Sequence, residues 1–158
     1  MIRPAAPEEH GTLTEISFAS KGVWDYPQAW FDIWESELTI TPDYIEKNGV
    51  WVIETEAGIV GYYSLTVLEE EILISGIPLP AGTWLEHMFI RPEHLEKGLG
   101  RRLFDHALAQ CRDLGVARLG ILADPHARGF YEKQGCTFIR EYPSTIEGRT
   151  TPLLEMEV

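Results

Sequence analysis

Thr83-Trp84-Leu85-Glu86-His87-Met88-Phe89-Ile90, followed by Arg91-Pro92-Glu93-His94-Leu95-Glu96-Lys97-Gly98-Leu99-Gly100-Arg101-Arg102-Leu103, is the stretch on which the fold turns. Its first eight residues have the aromatic and branched content of a strand. After them the apolar period changes. Leu99, Leu103, Ala107, Cys111 and Leu114 recur every three or four residues, and Phe104 and Leu108 widen the stripe, so a long helix is expected over 98–114. Gly115 is placed to end it. Leu119 to Leu122 reads as the next strand. Strand, helix and strand then form one crossover with two parallel strands, right-handed by the general rule.

Working outward, Pro7 to Ser20 carries Leu13, Ile16 and Phe18 and predicts a helix. Pro27 opens another, and Thr41-Pro42-Asp43 reads as an N-cap followed by proline at the first helical position. Val50 to Ile53 and Ile59 to Leu68 read as strands joined by a turn at Glu56-Ala57-Gly58. Gly76, Pro78, Pro80 and Gly82 mark an apolar loop. Pro125 to Gln134 predicts a short helix ended by Gly135. Cys136 to Arg140 and Pro152 to Val158 read as closing strands, with a long loop from Tyr142 to Thr151. The order implies an α/β fold with a mixed sheet covered by helices.

The chain of 158 residues suits one domain, 1–158, with a real core. No apolar run is long enough for a transmembrane helix, and the start lacks an apolar leader, so no membrane association and no secretory signal are expected. Two cysteines, Cys111 and Cys136, suit reduced thiols in a cytoplasmic protein. The net charge of −12 disfavours nucleic acid as a partner. That charge is uneven: from Glu8 to Glu71 there are fourteen acids against only Lys21 and Lys47, whereas Arg91 to Lys133 is locally basic. His94, His106 and His126 lack metal-ligand spacing, and no metal is expected.

The strand–helix junction carries the chemistry. Gly98 and Gly100 let a ligand approach the backbone, and the first helical turn offers unpaired N–H groups and a partial positive charge. Lys97, Arg101 and Arg102 add full charges, which makes a cradle for a phosphate or pyrophosphate. Neither the nucleotide P-loop nor the three-glycine dinucleotide fingerprint is present.

The run Leu85 to Pro92 with Lys97-Gly98-Leu99-Gly100-Arg101-Arg102-Leu103 resembles motif A of the GNAT superfamily of N-acetyltransferases. Ala123-Asp124-Pro125-His126-Ala127-Arg128-Gly129-Phe130-Tyr131-Glu132-Lys133-Gln134-Gly135-Cys136 resembles the family's motif B, in the right order and spacing. The resemblance covers residues 83–140 well. It implies a GNAT-like acyl-CoA N-acyltransferase fold: a mixed, mostly antiparallel central sheet of six or seven strands with helices on both faces. It also implies acetyl transfer from acetyl-CoA to a small-molecule amine, and it makes a homodimer an expectation.

By matching positions, the backbone of Met88, Phe89 and Ile90 would pair with the pantetheine arm, the N–H groups around Leu95, Glu96, Lys97, Gly98, Gly100 and Arg101 would hold the pyrophosphate, and Phe130 would line the arm. Asp124 stands where the family usually has asparagine, and a carboxylate has no amide donor. Leu95 replaces the usual Arg or Gln, which removes one side-chain phosphate contact that Lys97 or Arg101 would have to replace. Tyr131 matches the motif-B tyrosine proposed as general acid to the sulfur, with a half-buried structural tyrosine as the bland alternative. Glu86 is the candidate general base, directly or through water. His87 must point to the other face of an unbulged strand, so the two cannot both face the substrate. A backbone N–H near Met88 is the expected oxyanion donor.

Trp24, Tyr26, Trp30, Phe31 and Trp34 form an aromatic group that is either core or, for Trp24, Tyr26 and Trp30, the wall of an acceptor pocket with Asp25 or Glu35 receiving a cationic amine. The apolar stretch Ile72 to Pro80 is either a lid or a subunit contact. Neither cysteine sits where a nucleophile is expected, so transfer should be direct. The competing functional reading is a CoA-binding regulatory or scaffolding module without transfer activity, supported by the departures at Leu95 and Asp124.

Overall fold

A computed structural model describes residues 1–158. A short strand β1 (Ile2–Pro4) leads into helices α1 (His10–Lys21), α2 (Gln28–Leu38) and α3 (Pro42–Lys47). Strands β2 (Gly49–Thr55), β3 (Gly58–Leu68), β4 (Ile72–Ile74), β5 (Ile77–Leu79) and β6 (Gly82–Ile90) follow. Then come α4 (Leu99–Asp113), β7 (Arg118–Leu122), α5 (Arg128–Lys133), β8 (Thr137–Pro143) and β9 (Thr150–Glu157). Seven strands make one sheet in the order β1-β2-β3-β6-β7-β9-β8. β6 pairs with β7 in parallel, and the β1–β2, β2–β3, β7–β9 and β8–β9 ladders are antiparallel, so the sheet is mixed and mostly antiparallel as expected. No helix is long and apolar enough to cross a membrane.

The chain divides into two compact units. The first comprises Met1–Leu65 and His87–Ala107. Its core joins Leu13 and Ile16 of α1 to Ile40, Ile45, Val50, Val52 and Tyr62. Thr41 caps α3 as the sequence predicts: its Oγ1 accepts the Tyr44 N–H at 3.1 Å, and Pro42 opens the helix. Gly61 lets β3 and β6 come close, since a Cβ there would stand 2.6 Å from Ile90 Cδ1 and 2.8 Å from the Phe89 carbonyl oxygen.

The second unit comprises Thr66–Glu86 and Leu108–Val158. Leu79, Tyr142 and Leu153 are its buried centre, with Leu68, Ile74, Ile77, Trp84 and Leu122 packed against them. The stretch expected as an apolar loop is instead a two-stranded hairpin, β4–β5, turned at Ser75 and Gly76, both with positive φ. Tyr142 fastens it by donating its hydroxyl to the Pro78 carbonyl at 2.5 Å. The loop expected from Tyr142 to Thr151 is shorter, because β8 runs to Pro143 and β9 starts at Thr150.

Helix α4 buries Leu99, Leu103, Phe104, Ala107, Leu108 and Cys111, the predicted stripe. Leu114 leaves that stripe: it lies past the helix end and is 71% exposed. Gly115, at φ +73°, donates to the Arg112 carbonyl while Val116 donates to that of Cys111. This double closure is a Schellman ending, and it explains why a leucine in register is nevertheless turned out.

Candidate functional site

The predicted residues fall into both units. Met88, Phe89, Ile90, Leu95, Glu96, Lys97, Gly98, Gly100 and Arg101 belong to the first; Glu86, Asp124, Phe130 and Tyr131 belong to the second.

In the first unit the chain leaves β6 at Ile90, and the Arg91 N–H is held by the Val60 carbonyl at 2.8 Å. A 3-10 turn, Pro92–His94, follows, and its end is closed by the Leu95 N–H on the Pro92 carbonyl at 3.2 Å. Glu96 and Gly98 then take left-handed conformations, φ +62° and +75°. A Cβ at Gly98 would meet nothing within 4 Å, so the requirement for glycine there is conformational and the space is open. The first helical bond beyond this loop runs from the Arg102 N–H to the Gly98 carbonyl at 3.2 Å. The N–H groups of Leu99, Gly100 and Arg101 precede it and have no carbonyl one turn back. Lys97 and Arg101 are exposed beside them, Lys97 Nζ lying 3.4 Å from His94 Nδ1. Arg91 is committed elsewhere, to Glu15 at 2.7 Å and to the Ile59 carbonyl at 3.0 Å. The result is a set of amides at the positive end of a fifteen-residue helix, with open space at Gly98, suited to an anion.

Strand β6 sorts its side chains by alternation. His87 lies among the rings of Tyr44, Tyr62 and Phe89, with centroids 6.0, 6.3 and 5.8 Å away. Its N–H donates to the Oγ of buried Ser64 at 3.2 Å, and Tyr44 donates to the same oxygen at 2.9 Å. Glu86, one residue earlier, is exposed on the other face. Pairing of β6 with β7 is confined to Thr83–Leu119 and Trp84–Gly120. Beyond Trp84 that ladder stops.

In the second unit Tyr131 on α5 is 5% exposed. Burial, and then the neighbouring Cys136 sulfur, push its phenol well above the ordinary tyrosine range, so it keeps its proton at neutral pH. Phe130 meets Tyr131 edge-on at 5.2 Å. Burial also pushes the Cys136 thiol up to about 11 and raises Cys111, which leaves neither as a thiolate. Asp124 is occupied: Oδ1 accepts the His126 N–H at 2.9 Å, and Oδ2 meets Arg149 at 3.2 Å. Both side chains of that pair are largely buried. Arg149, which the sequence places only in a loop, is therefore the partner of the motif-B aspartate. Charge complementarity between an acid that caps and a distant arginine leaves no local pattern to read.

Tyr26, Trp30 and Phe31 all pack against Trp34, Phe31 edge-on at 5.6 Å. Tyr26, Trp30 and Trp34 pack at 5.2–5.8 Å, and Lys21 Nζ lies 4.6 Å above the Trp34 ring. Trp34 is core, but Trp24 is 43% exposed. The cavity of this region, about 400 Å³, is lined by Phe18, Gln28, Phe31, Asp32 and Glu35. Of the predicted pocket residues only Glu35 lines it; Trp24, Asp25, Tyr26 and Trp30 do not. Gln28, Asp32 and Glu35 at i, i+4 and i+7, beside Phe31, are a helical stripe the sequence could have revealed, but Phe18 comes from another helix.

The sequence model of the Acetyltransferase (GNAT) family matches residues 14–136. No curated protein sequence matches the chain. Among solved structures, the chain superposes on a GCN5-related N-acetyltransferase from Rhodopseudomonas palustris with TM-score 0.78 at 17% identity, covering 100% of this chain and 95% of that one. PaiA N-acetyltransferase from Thermoplasma acidophilum, in complex with coenzyme A, gives 0.77 at 15% identity over 100% and 98%. A GNAT family acetyltransferase from Brucella melitensis, in complex with acetyl-CoA, gives 0.61 at 20% identity over 96% and 94%. With its seven-stranded sheet and a family match spanning both predicted motifs, the chain belongs to the GNAT acetyltransferase family.

Proposed function

We propose that this chain moves the acetyl group of acetyl-CoA directly to a primary amine of a small acceptor. The observation that carries the reading is the run of helix-start amides at Leu99–Arg101, which follows the open position Gly98 and suits the pyrophosphate of a CoA thioester. Two fold relatives hold coenzyme A or acetyl-CoA, which supports the same ligand here.

When bound, acetyl-CoA supplies an activated acetyl carbonyl. The backbone of Met88, Phe89 and Ile90 orients the pantetheine arm, while the amides from Leu95 and Glu96 through Gly98, Gly100 and Arg101 fix the diphosphate, with Lys97 adding charge. Phe130 lines the arm. Asp124 stands in motif B, but its carboxylate serves the backbone cap and Arg149. Glu86, exposed on the face away from the His87 ring cluster, takes the proton that an ammonium must lose before its nitrogen can attack. The Tyr131 hydroxyl, protonated at neutral pH, gives a proton to the departing sulfur. A new C–N bond forms and the C–S bond breaks; the nitrogen's second proton returns to the Tyr131 oxygen and Glu86 passes its own to water, so the amide and the thiol both leave neutral and the two side chains are restored.

The engaged state of Asp124 favours a second reading, a CoA-binding module without transfer. Release of free thiol from acetyl-CoA across an amine panel tests both. Thiol release with at least one primary amine supports transfer; tight acetyl-CoA binding with no thiol from any amine overturns it.

A further inference from the structure

Arg149 has no part in the transfer as drawn above, yet it is tied to the segment that carries Tyr131. Its backbone is fixed in the turn between β8 and β9. The Arg149 N–H donates to the Ile146 carbonyl at 3.0 Å, and its own carbonyl accepts the Ser144 N–H at 2.9 Å. Ile146 is buried and anchors that turn. From this mount the guanidinium reaches Asp124 Oδ2 at 3.2 Å, and both side chains are largely buried.

The far end of the contact is a helix cap. Asp124 Oδ1 accepts the His126 N–H at 2.9 Å, and the Asp124 carbonyl accepts the Ala127 N–H at 2.8 Å. These two bonds set the 3-10 turn Pro125–Ala127, which runs directly into α5. Tyr131 completes the first turn of α5, and its carbonyl takes the N–H groups of Gln134 and Cys136, both at 3.1 Å. The orientation of Asp124 therefore sets the start of the helix that carries the phenol.

An aspartate caps no better than an asparagine. Its charge adds a second requirement, because a largely buried carboxylate needs a cation. Such a pair is weak support for stability, since apolar residues of similar volume often serve as well. What it does fix is orientation: with Oδ2 held by Arg149, Oδ1 is aimed at the cap. We infer that Arg149 is a positioning residue for transfer, holding the Tyr131 hydroxyl at the leaving sulfur through Asp124 and the cap that opens into α5. The inference rests on the transfer reading and on Tyr131 as its acid.

The test places Arg149→Met in the wild type and in Tyr131→Phe, and Arg149→Lys in the wild type. Thiol release from acetyl-CoA is read with a primary amine that the wild type accepts, well below each melting temperature. Arg149→Met should lower kcat about tenfold and leave the KM for acetyl-CoA nearly unchanged. Arg149→Lys keeps the charge for what is a single contact and should recover most of the loss. In Tyr131→Phe the methionine should cost less than about twofold more, because the group it misplaces is gone. An equal loss in both backgrounds, no loss in the wild type, or no recovery with lysine overturns the inference. A merely structural arginine would change the amount of folded protein and not kcat. Circular dichroism checks folding, and Arg149→Gln replaces Arg149→Met should the latter not fold.

A second readout needs no amine. The ring signals of Tyr131 in protein labelled with carbon-13 tyrosine, identified by their loss in Tyr131→Phe, should shift in Arg149→Met and return in Arg149→Lys. Thiol release with unmoved ring signals removes the positioning role and leaves transfer. No thiol from the wild type with any amine removes the transfer reading, and the ring signals then decide alone whether Arg149 positions Tyr131.

Discussion

The Trp84 ring fills the space over Gly120: a Cβ built on Gly120 would stand 2.6 Å from Trp84 Cζ3 and 2.7 Å from Cε3. The two residues are also register partners, the last pair of the β6–β7 ladder. An indole cannot retreat from there as a flexible chain end would, since it packs against the Leu79–Tyr142–Leu153 core. Gly120→Ala should therefore destabilise the fold by about 1–3 kcal/mol through overpacking. Gly129, on the exposed face of α5 with nothing within 4 Å, is the contrast. There alanine should raise stability by about 0.5–1 kcal/mol. Thermal melts of both variants check the opposite signs.

Asp124 and Arg149 form a largely buried pair, 3.2 Å apart, that joins motif B to the start of β9. Removing one partner leaves the other charged and poorly hydrated. Arg149→Ala should cost about 1–3 kcal/mol, and a double-mutant cycle with Asp124→Ala should return a coupling of about 0.5–3 kcal/mol. Urea denaturation of the four proteins measures it; simple additivity would show that the pair contributes nothing.

His106 sets a pH dependence on the first unit. Its Nδ1 lies 2.8 Å from the hydroxyl of buried Tyr63, and its ring is 4.6 Å from that of Trp51. Burial lowers its pKa below the ordinary histidine value of 6.5. The unfolded chain therefore takes up a proton before the native one does, so this stability is present above pH 6.5 and is lost as pH falls through the depressed native value. The melting temperature should drop between about pH 7 and pH 5 in the wild type, and less in His106→Gln. Glu9, lowered from 4.5 by its bond to Arg3, acts in a separate and more acidic window.

Tyr131→Phe should lower turnover about a hundredfold while leaving acetyl-CoA binding nearly unchanged, the pattern of a lost general acid. Because burial holds the phenol protonated far above neutrality, its loss should not displace the acid limb of the pH–rate profile. Thiol-release kinetics over pH 6–9 give both quantities; unchanged turnover would remove the role.

The fold is legible where one residue pattern dictates one geometry. The change of apolar period at Leu99 and the Thr41-Pro42 cap both appear where the sequence places them. Strand β1 escapes because three residues carry no period and one is proline. The β4–β5 hairpin escapes because Gly76, Pro78 and Pro80 signal a loop, while Ser75-Gly76 turns two strands of only three residues each. Leu114 keeps the helical register, but the Gly115 ending rotates it out. At the site, Gly98 is legible because its conformation is local. Arg149 and the Phe18–Glu35 cavity arise from pairings distant in sequence, which composition does not encode.

The central claim is that the amides at the start of α4 grip a diphosphate. Thermal stability with acetyl-CoA against acetyl-pantetheine, which keeps the thioester and lacks the diphosphate, tests it most directly. At a hundred times its dissociation constant acetyl-CoA should add about 2.7 kcal/mol, and acetyl-pantetheine at the same concentration should add little. Equal stabilisation by the two, or none by acetyl-CoA, would contradict the account.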